Sequence, residues 1–381
     1  MIGKLIAASA ALYVGAGFAF SNKLRADALM PRPAKHDFGV WVTGLAENTI
    51  TLSAEESRSD MTHPGVIGVY WAGGYGQAGA IVDSDETSVT RAFTNLSNIS
   101  PPLCRSSEFT FCEPVDLEGW AFQSNPGDVG LEFTEAAFNS PLGSLGAWVV
   151  PAVGSTTWVI HVHGLGAARR EAVRMLGAYY RSGITSMVID YRNDPGAPPD
   201  PSGHYRFGVT EWEDLHAAVD HARDHGAERL ILSGYSTGAA IVMAFAERSQ
   251  HMEIVEAIVF DSPNIDMDRT VRFVAAKETL PLIPMKVPRS LAAVAMAFTD
   301  FRWGVDWKAI NYLESASRLT VPVLVFHGRA DDTVPIDISR ALARANPEHV
   351  QLIEVPEAAH VMSWNADPTR YEEHLERFLA P

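Results

Sequence analysis

Two hydrophobic periodicities divide this chain. Between residues 36 and about 128, short apolar–polar alternations are punctuated by glycine and proline, which predicts a β-rich region. Val40-Trp41-Val42 and Thr49-Ile50-Thr51-Leu52 read as strands across a turn, followed by strands at 66–71 and 88–93. From Leu131 onward the pattern changes. An opening antiparallel hairpin is expected at 131–134 and 146–150. Apolar runs at 158–162, 185–190, 229–232, 257–260, 321–326 and 349–355 then alternate with stretches that read as helices at 168–180, 211–225, 237–248 and 368–379. Continuous apolar strands alternating with helices predict an α/β fold with a mostly parallel central sheet covered on both faces.

Two segments break this rhythm. Between about 262 and 318 the strand pattern stops, and proline-punctuated apolar runs predict a helical insertion. At the other end, Leu5 to Phe20 carries no charge, and residues 2–20 approach the ~20 apolar residues that span hydrocarbon. This stretch is expected to be an N-terminal membrane helix that tethers the protein. A cleaved signal peptide ending near Ala26-Asp27-Ala28 is the rival, and a buried helix is the third option. The side of the membrane is left open. Lys23, Arg25, Arg32 and Lys35 lean toward a cytoplasmic body, whereas Cys104 and Cys112, close together, lean toward a small disulfide loop in an oxidising compartment. The expected organisation is therefore 1–35 as anchor and linker, 36–128 as the β-rich region, and 129–381 as the α/β domain.

The densest chemistry lies at Gly234-Tyr235-Ser236-Thr237-Gly238, between an apolar strand and an apolar helix. G-x-S-x-G in that setting is a nucleophile elbow: a sharp turn presents the serine, and the glycines leave room for strand against helix. A serine hydroxyl needs an imidazole to take its proton, and the imidazole needs a carboxylate to orient it. Both follow in the required order. Asp331 lies on the loop after the strand at 321–326, and His360 on the loop after the strand at 349–355. Asp332 and Asp261, the latter ending the strand at 257–260, remain alternative acids. Upstream, His163-Gly164-Leu165-Gly166 ends another strand. Such a loop supplies a backbone N–H to an oxyanion, here Leu165 with Gly166 as the alternative, and Thr237 after the serine is the other donor. His163 and His327 are expected to brace loops, and His161 to lie within a strand.

With His163-Gly164-Leu165-Gly166, Asp190-Tyr191-Arg192, the elbow, Gly328 with Asp331 and Val334-Pro335, and Ala359-His360, the chain resembles the α/β-hydrolase superfamily. The resemblance covers about two thirds of the chain. It is nearest the serine aminopeptidase/lysophospholipase-like branch with membrane-anchored bacterial members, although Ala239 stands where many peptidase-like members carry glycine. It implies a serine hydrolase acting on small-molecule or lipid-derived esters, without metal or organic cofactor. An acyltransferase or a serine peptidase would use the same three side chains, and a non-catalytic binding protein is a further class. The resemblance also makes 262–318 a cap over the site. Leu291, Met296 and Phe298 would then line an acyl pocket, unless that stripe is simply helix packing.

Composition narrows partners further. The net charge of −16 argues against nucleic acid, whose affinity comes from Lys and Arg on phosphates. His216, Asp220, His221, Asp224 and His225 share a helix but lack a recognised metal spacing, so a solvated face is expected. Gly73-Gly74-Tyr75-Gly76 lacks the lysine of a phosphate loop and is expected to be a turn. No chemistry is evident in residues 36–128, whose expected place is over the active-site mouth or toward the membrane. Oligomeric state is left open.

Overall fold

The computed structural model describes residues 2–31, 36–56, 58–104, 112–280 and 285–380, with side chains from residue 13 onward. The chain starts with helix α1 (Ile2–Leu24), which continues into a wider helical turn, Arg25–Leu29. Six strands follow: β1 (Trp41–Ala46), β2 (Thr49–Ser53), β3 (Ile67–Trp71), β4 (Gly74–Ser84), β5 (Ser88–Asn95) and β6 (Asp116–Glu118). They form one antiparallel sheet in the order β1-β2-β5-β4-β3-β6. Its core holds Val42, Ile50, Leu52, Val69, Trp71 and Val115. Cys104 and Cys112 are joined by a disulfide.

The second sheet has eight strands: β7 (Thr134–Ser140), β8 (Gly143–Val150), β9 (Thr157–Val162), β10 (Thr185–Ile189), β11 (Arg229–Tyr235), β12 (Val255–Asp261), β13 (Val323–Gly328) and β14 (Val350–Val355). Their order is β14-β13-β12-β11-β9-β10-β8-β7. β7 and β8 pair antiparallel at one edge, and the six strands from β10 to β14 run parallel. Helices α2 (Val173–Arg181), α3 (Trp212–Asp224), α4 (Thr237–Arg248), α7 (Asp337–Ala345) and α9 (Pro368–Leu379) complete the layers. α5 (Met267–Ala275) and α6 (Arg289–Trp303) occupy the insertion, and α8 (Ser363–Ala366) follows the last strand. The central strands β10 and β13 are buried at every residue, which is why they carry no polar alternation. Apolar residues from the two faces form separate packed clusters, one around Ile160, Leu232 and Phe245, the other around Val159, Leu324 and Tyr179.

Three expectations change. The turn at 73–76 is only Ala72-Gly73, because Trp71 already pairs with Gly74 and β4 begins there. The glycines belong to the strand for lack of space: a Cβ on Gly74 would lie 2.1 Å from Trp71 Nε1, and one on Gly76 2.5 Å from the Phe93 ring. Glycine composition thus concealed a strand. The first hydrolase-side strand starts at Thr134 rather than 131, since Leu131 belongs to the turn after Pro126–Val129.

The third change concerns the N-terminus. Among the described residues no helix is long and apolar enough to cross a membrane, so the membrane helix expected at residues 2–20 is not supported. The described side chains of α1 lie instead along α6. Phe18 meets Phe298 edge-on at 5.7 Å, Tyr13 bonds Ser290, and Arg302 donates to Ser21 and Asn22. Gly17 sits where a Cβ would strike Val294 at 2.3 Å, so the two helices approach at backbone distance.

Candidate active site

The elbow at residues 234–238 is sterically forced. Ser236 sits between β11 and α4 with φ +50° and ψ −114°, a backbone conformation that L-residues rarely adopt. A Cβ at Gly234 would lie 2.7 Å from Ala239 N, and one at Gly238 2.0 Å from Val162 O. Both glycines are there because strand, turn and helix leave no volume.

His360 reaches the serine from the loop after β14. Its Nε2 lies 2.9 Å from Ser236 Oγ, and its Nδ1 lies 2.8 Å from Asp331 Oδ2. The other Asp331 oxygen accepts the amides of Thr333 and Val334 at 2.9 and 2.8 Å. Gly328 brings the two loops together, since a Cβ there would lie 2.1 Å from Ala358 O. Of the alternative acids, Asp332 is exposed, and Asp261 bonds Ser363 at 2.8 Å and Ser262 at 3.3 Å. Burial pushes the Asp261 carboxyl up to about 6. Asp331 is the reverse case: burial alone would raise it, but the His327 and His360 hydrogen bonds hold it well below the carboxylate range. Burial opposes a charge on His360, yet the hydrogen bond and charge of Asp331 raise its pKa above the ordinary value. Glu171 and Asp261 add to that rise.

Leu165 and Thr237 both face the cavity beside Ser236. Thr237 is the first residue of α4, so its N–H has no acceptor within the helix. The loop carrying Leu165 is held by groups that sequence patterns did not reveal. Glu171 accepts the Gly164 amide at 2.6 Å, and Tyr191 Oη and the Ala167 amide both donate to the Gly164 carbonyl at 3.2 Å. His163 and His327 brace loops as expected. His327 bonds Ser339 at 2.7 Å and lies 3.2 Å from Asp331. His161 lies within β9, where burial pulls its pKa down to about 3 and keeps it neutral.

The cavity above Ser236 has a volume of about 710 Å³. Its walls come from four regions of the chain. α1 and the turn after it give Phe20, Leu24 and Ala28; α5 gives Val271 and Val274; α6 gives Ala292 and Ala295. The β-rich sheet contributes Glu118, Gly119 and Trp120, beside Glu171 and Arg174. Leu291, Met296 and Phe298 are not among these lining residues. Leu291 and Met296 are buried, Met296 within the main core, and Phe298 is spent on Phe18. The helix presents Ala292 and Ala295 to the cavity and its bulky residues elsewhere.

The β-rich sheet is bound to the histidine loop. Asn365, fully buried, donates from Nδ2 to Val66 O and Gly119 O, each at 2.7 Å. Its Oδ1 accepts from Arg174 at 2.5 Å, its carbonyl accepts the Val66 amide at 2.8 Å, and Ala359 N donates to His63 at 3.3 Å. Among the described residues, three histidine–carboxylate groups have ligand atoms close enough for a cation: His216/Asp220/His251, His36/Asp116/Glu118 and His163/Asp190/Asp194. In each, one imidazole nitrogen already lies 2.7–2.8 Å from a carboxylate oxygen, the geometry of a shared proton.

A serine, histidine and aspartate in hydrogen-bonded series, beyond the carboxyl ends of parallel strands, invite comparison with known proteins. The model of the alpha/beta hydrolase family matches residues 159–374. The uncharacterised protein YfhR of Escherichia coli O157:H7 is 23% identical over 283 residues, covering 73% of this chain and 81% of its own. YfhR of Escherichia coli strain K12 is 23% identical over 264 residues, covering 68% and 75%. Among solved structures, the Pyrococcus furiosus esterase Pf2001 superposes with a TM-score of 0.54 at 21% identity, over 68% of this chain and 95% of that one. That likeness is one of fold. The family model spans more than half of the sequence and contains the elbow, the acid loop and the histidine loop, so this chain belongs to the alpha/beta hydrolase family.

Proposed function

We propose that this protein is a serine hydrolase that cleaves carboxylic esters through an acyl-enzyme on Ser236. The observation that carries it is the unbroken path Ser236–His360–Asp331, with 2.9 and 2.8 Å separations, whose serine and histidine line the cavity. In the ester, Ser236 Oγ attacks the acyl carbon while His360 Nε2 takes the hydroxyl proton. Negative charge gathers on the former carbonyl oxygen, where the Leu165 and Thr237 amides receive it. His360 passes its proton to the departing alcohol. Water then repeats the sequence: His360 takes its proton, the hydroxide adds to the acyl carbon, and Ser236 leaves reprotonated with the acid as product. Asp331 stays ionised throughout and stabilises the transient imidazolium.

The cavity suggests the substrate. Apolar side chains from α1, α5 and α6, among them Phe20, Leu24, Val271, Val274 and Ala295, line the cavity beside the charged Lys23, Asp27 and Glu278, and their surface suits the hydrocarbon of an acyl group. In this scheme residues 129–381 are the hydrolase domain, 262–318 its cap, and residues 36–128 a wall beside the histidine loop. Labelling with a fluorophosphonate tests the nucleophile. Wild-type protein should react once, at Ser236, and Ser236→Ala should not react. Retained labelling at another serine would refute the assignment.

A further inference from the structure

A second histidine–carboxylate pair lies below the site, and the three-residue path does not use it. His163 is fully buried, and Asp194 is 4% exposed. His163 Nε2 lies 2.8 Å from Asp194 Oδ2, and its Nδ1 lies 2.8 Å from the carbonyl oxygen of Gly164. A carbonyl only accepts, and this carboxylate oxygen also accepts the Tyr191 amide at 2.8 Å. Nδ1 of His163 therefore has to donate, and an ionised Asp194 takes a donor from Nε2 as well, the hydrogen-bond pattern of an imidazolium. Tyr191 stacks on that ring at 4.5 Å and adds its own hydroxyl to the Gly164 oxygen.

The Gly164 carbonyl and the Leu165 N–H belong to one peptide unit. In a trans peptide these two groups point in opposite directions. Donors from His163, Tyr191 and Ala167 on the oxygen fix the peptide plane, and with it the direction of the Leu165 N–H. A cationic donor on the oxygen also draws electron density from the nitrogen, which makes that N–H a stronger donor. Glu171 holds the preceding amide, so the plane cannot swing about its other end.

We propose that His163 and Asp194 are positioning residues that orient and polarise the Gly164–Leu165 peptide as an oxyanion donor. This rests on the proposed ester hydrolysis and assigns its oxyanion hole a supporting ion pair. Burial works against the charge on His163, but Asp194 more than offsets it and lifts its pKa to about 9. The other groups facing the pair are Asp190 at the end of β10, itself paired with Arg169, Glu171 on the turn before α2, and the Tyr191 hydroxyl.

The test compares wild type with His163→Ala, His163→Asn and Asp194→Asn on a short p-nitrophenyl ester and on a trifluoromethyl ketone, which Ser236 converts to a bound oxyanion. His163→Ala should lower kcat by on the order of 10- to 100-fold with little change in KM. Affinity for the ketone should fall by the same factor. His163→Asn, which keeps a donor near the Gly164 oxygen, should recover part of both. A folded His163→Ala protein with wild-type kcat and wild-type ketone affinity would overturn the proposal. A second measurement does not depend on the variants folding. In wild-type protein with ¹⁵N-labelled histidine, both ring nitrogens of His163 should be protonated at pH 7.5, and a neutral ring would equally overturn it. Absence of ester turnover by the wild type is a different result. It counts against ester hydrolysis and leaves the ring measurement to decide the ion pair.

Discussion

Asp331 Oδ2 lies between two imidazoles, 2.8 Å from His360 Nδ1 and 3.2 Å from His327 Nε2. The carboxylate is thus oriented from the side away from the substrate as well as toward His360. Replacing it with an isosteric amide keeps the packing but offers an N–H or a neutral oxygen where a charge belongs. Asp331→Asn should lower kcat by about 10⁴ with KM nearly unchanged, because the imidazole loses the correct tautomer and its counter-charge. Steady-state kinetics on a soluble ester reads this directly. A loss below tenfold would remove Asp331 from the proposed mechanism.

The raised pKa of His360 sets a sign for the pH profile. The proposed base works only when neutral, so kcat/KM should rise with pH and level off above the His360 pKa. Burial lowers that pKa, but the bond and charge of Asp331 outweigh it, so the inflection should lie above the 6.5 of a free histidine. Removing the charge in Asp331→Asn should move the residual inflection downward. An inflection below 6.5 in the wild type would contradict the proposed coupling.

Stability should follow the same logic with the opposite trend. His163 and His360 both have folded-state pKa values above their ordinary value. Their contribution is full below about 6.5 and fades as pH rises through the folded values, about 9 for His163. Asp331, held low, contributes above its unfolded value and loses that contribution only in strong acid. Urea midpoints measured from pH 6 to 10 should therefore decline, and less steeply in Asp194→Asn. Equal slopes would show that the ion pair carries no linkage.

Chain-length preference should answer to α6 and α1. Ala295 faces the cavity from one helix and Leu24 from the other. Ala295→Trp or Leu24→Trp should lower the ratio of kcat/KM for a decanoyl ester over an acetyl ester by about tenfold or more. The same replacement at Phe298, which packs on Phe18, should disturb the α1–α6 contact instead. A ratio that stays constant in both cavity variants would show that hydrocarbon does not bind there.

Asn365 joins three segments through four hydrogen bonds, to Val66, Gly119 and Arg174 and from the Val66 amide to its own carbonyl. Asn365→Ala leaves two carbonyls and a guanidinium partly unsatisfied in the interior. It should destabilise the protein by about 3 kcal/mol or more in chemical denaturation. Because Asn365 lies in α8, which directly follows the loop carrying His360, activity should fall at temperatures where the protein is still folded.

Hydrophobic periodicity alone dictates the alternation of strands and helices, and thereby the layered α/β body. The amino-acid sequence also sets the order of elbow, acid loop and histidine loop, because each motif is a local demand of backbone geometry. Gly234 is legible in this way, since Gly238 and Ala239 just after it supply the crowding, whereas the space at Gly238 is closed by Val162 and His163 of a distant segment. The spacing to Val334-Pro335 favours Asp331 as the acid but leaves Asp261, the last residue of β12, as an alternative. Only the packing of Gly328 against Ala358 brings the Asp331 loop to His360. The β4 strand was hidden because its glycines answer to Trp71 and Phe93 rings. α1 read as a membrane span because hydrophobicity records that a surface avoids water, not what covers it. The face of α6 turned to the cavity, the Asn365 junction and the His163–Asp194 pair were likewise decided in three dimensions. Each joins residues that no sequence interval relates, through hydrogen bonds and contacts that exist only once separate elements have packed.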